Sequence, residues 1–391
     1  MAILFTPTRL GKVEIKNRFF HSGTTESMAL ESGEVTDSLI ARYKNLAKGG
    51  VGLIVPGAMY VQPAGKHFRL ATGIHHDDMV PGLRDLVEVI HQEGSKVFFQ
   101  LNHAGRQTVK AIIGQQPLGP SAYKRDPAYL VKPREMSEED IRETIRAFGM
   151  AAHRAAEAGA DGVQIHAAHG YLVNQFLSPF FNVRKDRWGR SDENRFRFIA
   201  EIYGEIRANL PEGMPVLVKL NTNDFTPKDG ITPPLAARYA GWLAGLGIDG
   251  VEVSQGSIYA MMNVMRGGIP VKEMLRSQAA WKKPAAWFLL KGMQGKFDLE
   301  EGYNLAAAEV VKPAMGGVPL ILVGGMRRAS HMEEVLQEGH AELISLSRPF
   351  IREPNLVKRF EGGQQEASCV SCNKCFAAMI ADKPIRCYCT A

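Results

Sequence analysis

Two histidines and a tyrosine stand close together shortly before the middle of the chain. His166 and His169 are three residues apart, and Tyr171 follows two residues later, after an apolar run that ends at Ile165. Two imidazoles can donate hydrogen bonds to one substrate oxygen, and a neighbouring phenol can deliver a proton. A metal pair is a second interpretation, although no carboxylate or cysteine ligand lies nearby in sequence. A satisfied buried histidine beside a core tyrosine is the plain structural alternative.

Lysine and glutamine end two other apolar runs. Lys219 follows residues 216–218 and would place an ammonium group where negative charge develops during a reaction. A surface lysine extended along apolar neighbours is the alternative. Gln100 follows residues 97–99, and its amide offers a donor and an acceptor, as recognition of the edge of a flat heterocycle requires.

Glycine and arginine residues in two later segments have the character of a phosphate site. The segment 323–327 reads Val-Gly-Gly-Met-Arg, and Ser347-Arg348 follows another apolar run. Glycine lets backbone N–H groups approach a phosphate closely, and the guanidinium of Arg348 can add two further donors. A tight turn with a surface arginine is the alternative.

All five cysteines lie between Cys369 and Cys389. Three closely spaced thiolates and a distant fourth suit a tetrahedral metal ion or a [4Fe–4S] cluster. We favour an iron–sulfur cluster over zinc, and metal-free redox thiols remain a third interpretation. The predicted ligands are Cys369, Cys372, Cys375 and Cys387, with Cys389 as a possible replacement for Cys387.

A repeated local pattern predicts the scaffold that brings these residues together. Five times, an amphipathic helix ends at a glycine and an apolar strand follows, at Gly50, Gly94, Gly159, Gly247 and Gly339. Further strands near 17–22, 216–220 and 319–323 bring the count to about eight. This α/β alternation predicts a TIM (β/α)8 barrel, whose active site lies at the C-terminal ends of the strands. A doubly wound sheet is the rival, but the chain has no Gly-x-Gly-x-x-Gly motif.

Local signals refine the barrel. Ser137 with Asp140, and Ser330 with Glu333, predict capping boxes at the starts of two helices. The segment from Leu4 to Glu14 is expected to form a hairpin under the barrel. Residues 255–301 are too many for a simple loop, so we expect them to cap the site and to include a short helix around 279–293.

Charge and hydropathy exclude several classes of protein. The net charge is 47 − 41 = +6, without a block of five basic residues, so nucleic-acid binding is not indicated. No run of about 18 apolar residues is present, so we expect no membrane span. The first residues lack a basic segment followed by an apolar one, which predicts a cytoplasmic protein.

Many ordered segments of the chain resemble the Old Yellow Enzyme family of flavin oxidoreductases. The resemblance extends over nearly the whole chain, and within the family it is strongest to the bacterial branch of 2,4-dienoyl-CoA reductase and trimethylamine dehydrogenase. One departure is Lys219, because most relatives have arginine there. The segments that carry the resemblance are Leu4–Pro7, Lys16–Arg18, Gln100–Arg106, His166–Leu172, Phe176–Pro179, Asn182, Arg184, Asp186, Gly189, Glu193–Arg195 and Val323–Gly325.

The resemblance implies a non-covalent FMN and a role for each candidate residue. Gly325 and Arg348 would bind the phosphate, while Gln100 and Lys219 face the isoalloxazine edge and Thr25 lies near a flavin carbonyl. Further implied FMN contacts are Gly57, Gly324, Arg327 and Ser347.

The same resemblance implies a reaction. His166 and His169 would hold the carbonyl oxygen of a small-molecule substrate, Tyr171 would protonate one carbon, and the flavin N5 would deliver hydride to the other. The expected activity is therefore that of an ene-reductase acting on an unsaturated carbonyl compound or thioester.

The division of the chain follows from these assignments. We expect an FMN-binding barrel over 1–362 and a cysteine-rich segment over 363–391, without a dedicated dinucleotide domain. Electrons would come from NAD(P)H or from a donor protein through the cluster, and we expect a homo-oligomer.

Three other functions are alternatives to an ene-reductase. An amine dehydrogenase would need an aromatic cage for a cation. A dihydrouridine synthase would need a cysteine near the flavin, and none precedes Cys369. An electron-transfer subunit that docks through its cysteine segment is the non-enzymatic alternative.

Overall fold

Eight parallel strands close into a barrel in the computed structural model, which describes residues 2–126, 129–276 and 278–389. Consecutive strands pair with each other, and β8 pairs with β1, so the barrel sheet has no open edge. The strands are β1 Phe19–His21, β2 Leu53–Ile54, β3 Lys96–Asn102, β4 Gly162–Ala167, β5 Val216–Asn221, β6 Gly250–Ser254, β7 Leu320–Val323 and β8 Leu343–Leu346.

A helix follows each strand, so the predicted TIM barrel is confirmed. The five glycines predicted to end helices all have positive φ, as that position requires. The helices are α1 Asp37–Lys48, α2 Val80–His91, α3 Glu138–Glu157, α4 Asp192–Asn209, α5 Pro233–Leu246, α6 Leu305–Val311, α7 Ala329–Gln337 and α8 Leu356–Glu361.

One of the two predicted capping boxes is correct. Ser137 accepts from the N–H of Asp140, and the Asp140 carboxylate accepts from the N–H of Ser137, at the start of α3. The prediction at Ser330 is wrong, because α7 starts at Ala329 with Arg328 as its N-cap. Glu333 instead accepts from the backbone N–H groups of Ile3 and Leu4, and so holds the N-terminus against the barrel.

A hairpin closes the lower end of the barrel, as predicted. Thr8–Leu10 pairs antiparallel with Val13–Ile15. Leu10 and Ile15 are fully buried in an apolar cluster with strand residues, among them Phe98 and Leu217. Apolar side chains therefore fill this end of the barrel.

The remaining elements surround the upper end or connect the barrel helices. Short helices within 255–301 include Lys283–Met293, where a helix was predicted. The additional α-helices are Lys110–Ile113, Leu172–Leu177, Met261–Val264, Val271–Arg276, Lys283–Met293, Arg348–Arg352 and Lys374–Ile380. The 3-10 turns are Ile3–Phe5, Pro63–Gly65, Asp77–Met79, Ile258–Ala260, Ala280–Lys282 and Lys312–Met315, and the short strands are Met59–Tyr60, Leu118–Gly119 and Arg134–Glu135.

Candidate active site

Strand register brings the candidate polar residues into two neighbouring rows inside the barrel. Lys219 on β5 is in register with His166 on β4 and with Glu252 on β6. Gln100 on β3 is in register with Gln164 on β4. Because side chains alternate between the two faces of a strand, these residues all point into the upper part of the barrel.

The two histidines and the tyrosine do converge at the end of β4. The ring centroid of His166 lies 5.1 Å from that of His169 and 4.9 Å from that of Tyr171. His169 Nε2 is 2.7 Å from Ser254 Oγ at the end of β6. A left-handed backbone conformation at His169, with φ 62°, turns the chain toward Tyr171. The arrangement offers two imidazoles and one phenol to a single bound group.

Loss of water keeps these groups in their neutral forms. Desolvation lowers the pKa of His166 well below its usual value, and the nearby His169 and Lys219 lower it further. The pKa of His169 is lowered by desolvation and then by Lys219. Desolvation raises the pKa of Tyr171, with a smaller contribution from Tyr129. Near neutral pH the site therefore holds two neutral imidazoles and a protonated phenol.

A cavity of about 860 Å³ opens above this cluster. A cavity of this size is within the range of cofactor and substrate sites. His166 is not part of the cavity wall, but it is only 4 % exposed and its Nδ1 is buried without a hydrogen-bond partner among the described residues. The predicted residues that line the cavity are Thr25, His169, Tyr171, Lys219, Gly324, Gly325, Arg327, Ser347 and Arg348.

Gln100 and Gly57 lie behind the cavity wall. A Cβ atom built on Gly23, which lines the cavity, would be 2.9 Å from both amide atoms of Gln100, so Gln100 lies directly beneath Gly23. Gly57 donates its N–H to Glu26 over 2.6 Å and packs against the Thr24 carbonyl. The backbone N–H of Gly57 is thus already paired.

Sequence reasoning missed several polar residues of the site. Glu252 and Gln164 are fully buried and hydrogen-bonded to each other over 3.0 Å. Polar residues at every second position of their strands, Gln164 with His166 and Glu252 with Ser254, were the available signal. His67 also lines the cavity, 3.4 Å from Thr25 Oγ1 and beside Tyr171, but its loop carries no periodic pattern that would have identified it.

The two predicted phosphate arginines have different surroundings. The Arg327 side chain donates to the Cys369 carbonyl over 3.1 Å and to Ser371 Oγ over 2.7 Å, so it faces the cysteine-rich segment. Arg348 donates to Asn373 Oδ1 over 2.6 Å. The hydroxyl groups of Thr24 and Ser347 are hydrogen-bonded to each other over 2.7 Å, and both residues are part of the cavity wall. Arg348 and the Gly324-Gly325 backbone are the better placed anion-binding groups.

All five cysteines line a second, smaller cavity. This cavity shares Arg348, Ile351 and Cys375 with the large one. Arg352 donates to Cys387 Sγ over 3.4 Å. Burial raises the pKa of the Cys375 thiol to about 11. Within the described part of the chain, no three His, Cys, Asp or Glu side chains are placed as ligands of one metal ion.

A closed (β/α)8 barrel with a large cavity at the C-terminal ends of its strands defines a TIM-barrel protein with a cofactor-sized site. More particularly, the chain belongs to the NADH:flavin oxidoreductase / NADH oxidase family, whose model matches residues 3–286 and 271–367. The resemblance to the Old Yellow Enzyme family is therefore confirmed.

Three proteins illustrate the similarity in sequence. An NADPH dehydrogenase of Bacillus subtilis is 35 % identical over 354 residues, which cover 90 % of this chain and 92 % of that protein. An NADH oxidase of Thermoanaerobacter brockii is 32 % identical over 95 % of this chain and 52 % of its own length. A metal reductase of Desulforamulus reducens is 31 % identical over 100 % of this chain and 54 % of its own. The chain thus spans about half the length of the last two relatives.

Solved structures agree on the fold. A complex of 2-naphthoyl-CoA reductase superposes with a TM-score of 0.86 at 26 % identity, over 98 % of this chain and 56 % of that one. An old yellow enzyme homologue from Zymomonas mobilis gives 0.73 at 24 % identity, over 93 % of both chains.

No helix among residues 2–126, 129–276 and 278–389 combines the length and the apolar character needed to cross a membrane.

Proposed function

We propose that the protein is an FMN-dependent ene-reductase that reduces the C=C bond of an α,β-unsaturated carbonyl compound or thioester. The convergence of His166, His169 and Tyr171 carries this proposal, with His169 and Tyr171 in the cavity wall and the buried His166 ring beside both of them. Two neutral donors and one acid are what polarisation and protonation of such a substrate require. Family membership supports the flavin, and the thioester is suggested by the similarity to 2-naphthoyl-CoA reductase.

The residues at the cavity are suited to hold FMN. Backbone N–H groups at Gly324 and Gly325, together with Arg348, would bind the phosphate. Lys219, and Gln100 beneath Gly23, would face the ring edge, and Thr25 would lie near a ring carbonyl. Ser347 and Arg327 would line the wall, whereas Gly57 would support it from behind through its hydrogen bond to Glu26. When bound and reduced, FMN supplies a hydride.

Protein groups perform the rest of the reaction. His166 and His169 would donate hydrogen bonds to the carbonyl oxygen of the substrate, which makes the far carbon of the double bond electron-poor. Tyr171 would protonate the carbon next to the carbonyl group. The raised pKa of Tyr171 keeps this proton in place until it is needed. Apolar side chains over the cavity, among them Met261, Met265 and Leu290, would exclude water.

Amine oxidation is the second enzymatic candidate, since a histamine dehydrogenase shares the fold, with a TM-score of 0.81 at 22 % identity. It would require aromatic faces around a cation. The histidine pair favours a carbonyl group instead, because each neutral imidazole has one N–H that can donate to a carbonyl oxygen.

We infer that the cysteine-rich segment, residues 363–391, binds a [4Fe–4S] cluster through Cys369, Cys372, Cys375 and Cys387. The shared cavity of the five cysteines supports this, as do Arg327 and Arg352 beside the sulfur atoms. Four thiolates around a cluster carry net negative charge, which these guanidinium groups would balance. Zinc is the alternative metal. Electrons would come from NAD(P)H at the flavin or from a donor protein through the cluster.

The decisive experiment is anaerobic purification followed by cofactor analysis and rapid kinetics. We expect bound FMN, reduction by NAD(P)H, and reoxidation by an enone or an enoyl-CoA but not by an amine-derived imine. Absence of flavin would overturn the proposal. Reduction of the bound flavin by amines, without reoxidation by enones, would favour the amine dehydrogenase.

A further inference from the structure

Glu252 lies at the centre of a hydrogen-bonded network beneath the floor of the large cavity, and it is fully buried. Its Oε1 accepts from Lys219 Nζ over 3.1 Å, from Ser22 Oγ over 2.7 Å and from Ser345 Oγ over 2.8 Å. Its Oε2 accepts from Gln164 Nε2 over 3.0 Å. Four separate strands or strand ends therefore supply donors to one carboxylate.

This carboxylate determines how two glutamine amides are oriented. An ionised carboxylate only accepts hydrogen bonds, so Gln164 turns its NH₂ group toward Glu252 and its oxygen toward Gln100. Gln100 Nε2 donates to that oxygen over 2.7 Å. The carbonyl oxygen of Gln100 takes no part in this relay and lies beneath Gly23. The relay would present an acceptor, with one remaining N–H, toward the cavity wall at Gly23.

The same carboxylate holds Lys219. Lys219 Nζ donates to Ser22 Oγ over 2.6 Å as well as to Glu252, and both side chains of the ion pair are at most 3 % exposed. An ammonium has three donors, so one N–H is left for the cavity that Lys219 lines. At low dielectric, the adjacent carboxylate offsets much of the positive field that a lone lysine would impose on a ligand.

We propose that Glu252 is the positioning residue of the flavin site: through Gln164 and Lys219 it fixes the donors and acceptors that face the ring, and it lowers the midpoint potential of the bound FMN. This rests on the proposed function only for the presence of FMN. A positive charge near the ring favours the anionic reduced flavin, so a carboxylate that offsets this charge favours the oxidised form.

The test compares the midpoint potential of bound FMN in the holoenzyme and in Glu252→Gln, by anaerobic titration against a reference dye. We expect a shift to more positive potential that raises the ratio of reduced to oxidised flavin at least tenfold, about 30 mV for two electrons. The flavin absorption band should also shift, because Gln164 and Gln100 lose their fixed orientation. The control variant Glu212→Gln removes one negative charge from an exposed position, and it should leave the midpoint potential and the flavin absorption band unchanged.

A second pair of variants covers failure of Glu252→Gln to fold or to retain FMN. Lys219→Met should shift the midpoint potential of bound FMN to more negative values. The double variant Lys219→Met/Glu252→Gln should have a more positive midpoint potential than Lys219→Met. The double variant has no uncompensated buried charge. Equal potentials in Lys219→Met and the double variant, or in wild type and Glu252→Gln, would overturn the role of Glu252. A wild-type protein without FMN would instead overturn the proposed function.

Discussion

Arg348 donates a hydrogen bond from Nη1 to Oδ1 of Asn373 over 2.6 Å, which joins the end of β8 to the cysteine-rich segment. Asn373 is 1 % exposed, and its Nδ2 donates to the carbonyls of Met265 and Gly268. One amide therefore connects the proposed phosphate site, the cysteine-rich segment and the segment that caps the cavity. The two cavities are parts of one structural unit.

The first prediction follows from this bond. Asn373→Ala leaves the Arg348 guanidinium without its anchor, and hydrogen bonds to charged groups are worth about 1.5–3 kcal/mol. We expect FMN to bind about tenfold more weakly, measured by fluorescence as FMN is titrated into the deflavinated protein. Asn209→Ala, at the end of α4 far from both cavities, is the control. Unchanged FMN affinity in Asn373→Ala would show that the cysteine-rich segment does not support FMN binding through Arg348.

The second prediction concerns the acid. Tyr171→Phe keeps the aromatic ring beside His166 but removes the phenolic O–H that would donate the proton. General acids contribute about 10²–10⁴-fold to the reaction rate. We expect reoxidation of the reduced enzyme by an enone to slow by that range, while reduction by NAD(P)H is unchanged in stopped-flow traces. Tyr203→Phe, whose hydroxyl bonds to Gly247 outside the cavity, should affect neither step. Slower flavin reduction with normal reoxidation would contradict the role of Tyr171.

The barrel could be predicted because its signals are local. Most strands are rich in apolar residues, and five of the helices end at a glycine such as Gly159 or Gly339. The convergence of His166, His169 and Tyr171 was also predictable, since one strand end carries all three. These features depend on neighbours in sequence, which pattern analysis captures well.

Glu252 shows what could not be predicted. Its partners Ser22, Gln164, Lys219 and Ser345 come from four other strands or strand ends, and only the closed register brings them within 3.1 Å. The orientation of Arg327 was likewise hidden, because its partner Ser371 is 44 residues away. Alternating polar residues in β4 and β6 indicate that Gln164 and Glu252 face inward, but they do not show which side chains on other strands these residues contact.

The third prediction distinguishes the interpretations of the cysteines. Anaerobically purified protein should contain about four iron atoms and matching sulfide per chain for a cluster, against about one zinc ion for a zinc site. Cys375→Ser should abolish metal binding, because Cys375 lines both cavities and is a predicted ligand under either interpretation. Cys387→Ser and Cys389→Ser form a matched pair. We expect Cys387→Ser to lose the metal and Cys389→Ser to retain it, whereas the reverse result would identify Cys389 as the ligand. Metal-free protein with full NAD(P)H activity would mean that these residues are redox thiols.

The last prediction concerns pH and stability. Burial lowers the pKa values of His21, His67 and His103 to about 3, whereas an unfolded chain has histidine pKa values near 6.5. Between these values the unfolded state binds more protons, so the free energy of unfolding falls as pH falls below about 6.5. Each histidine contributes about 1.4 kcal/mol per pH unit. Raised pKa values at Glu26 and Asp224 act in the opposite sense, so the comparison is made between variants.

His103 is the cleanest of the three to test, because its Nδ1 accepts from the N–H of Gly105 over 2.9 Å inside the protein. Urea unfolding between pH 7 and 5 should give a shallower loss of stability for His103→Gln than for the wild type, by about 1 kcal/mol per pH unit averaged over this range, because the histidine of the unfolded chain titrates near 6.5. The exposed His153→Gln should retain the wild-type slope, since its side chain remains in contact with water. An unchanged slope in His103→Gln would mean that His103 takes up a proton in the folded protein, through local opening of the Gln100–Arg106 segment.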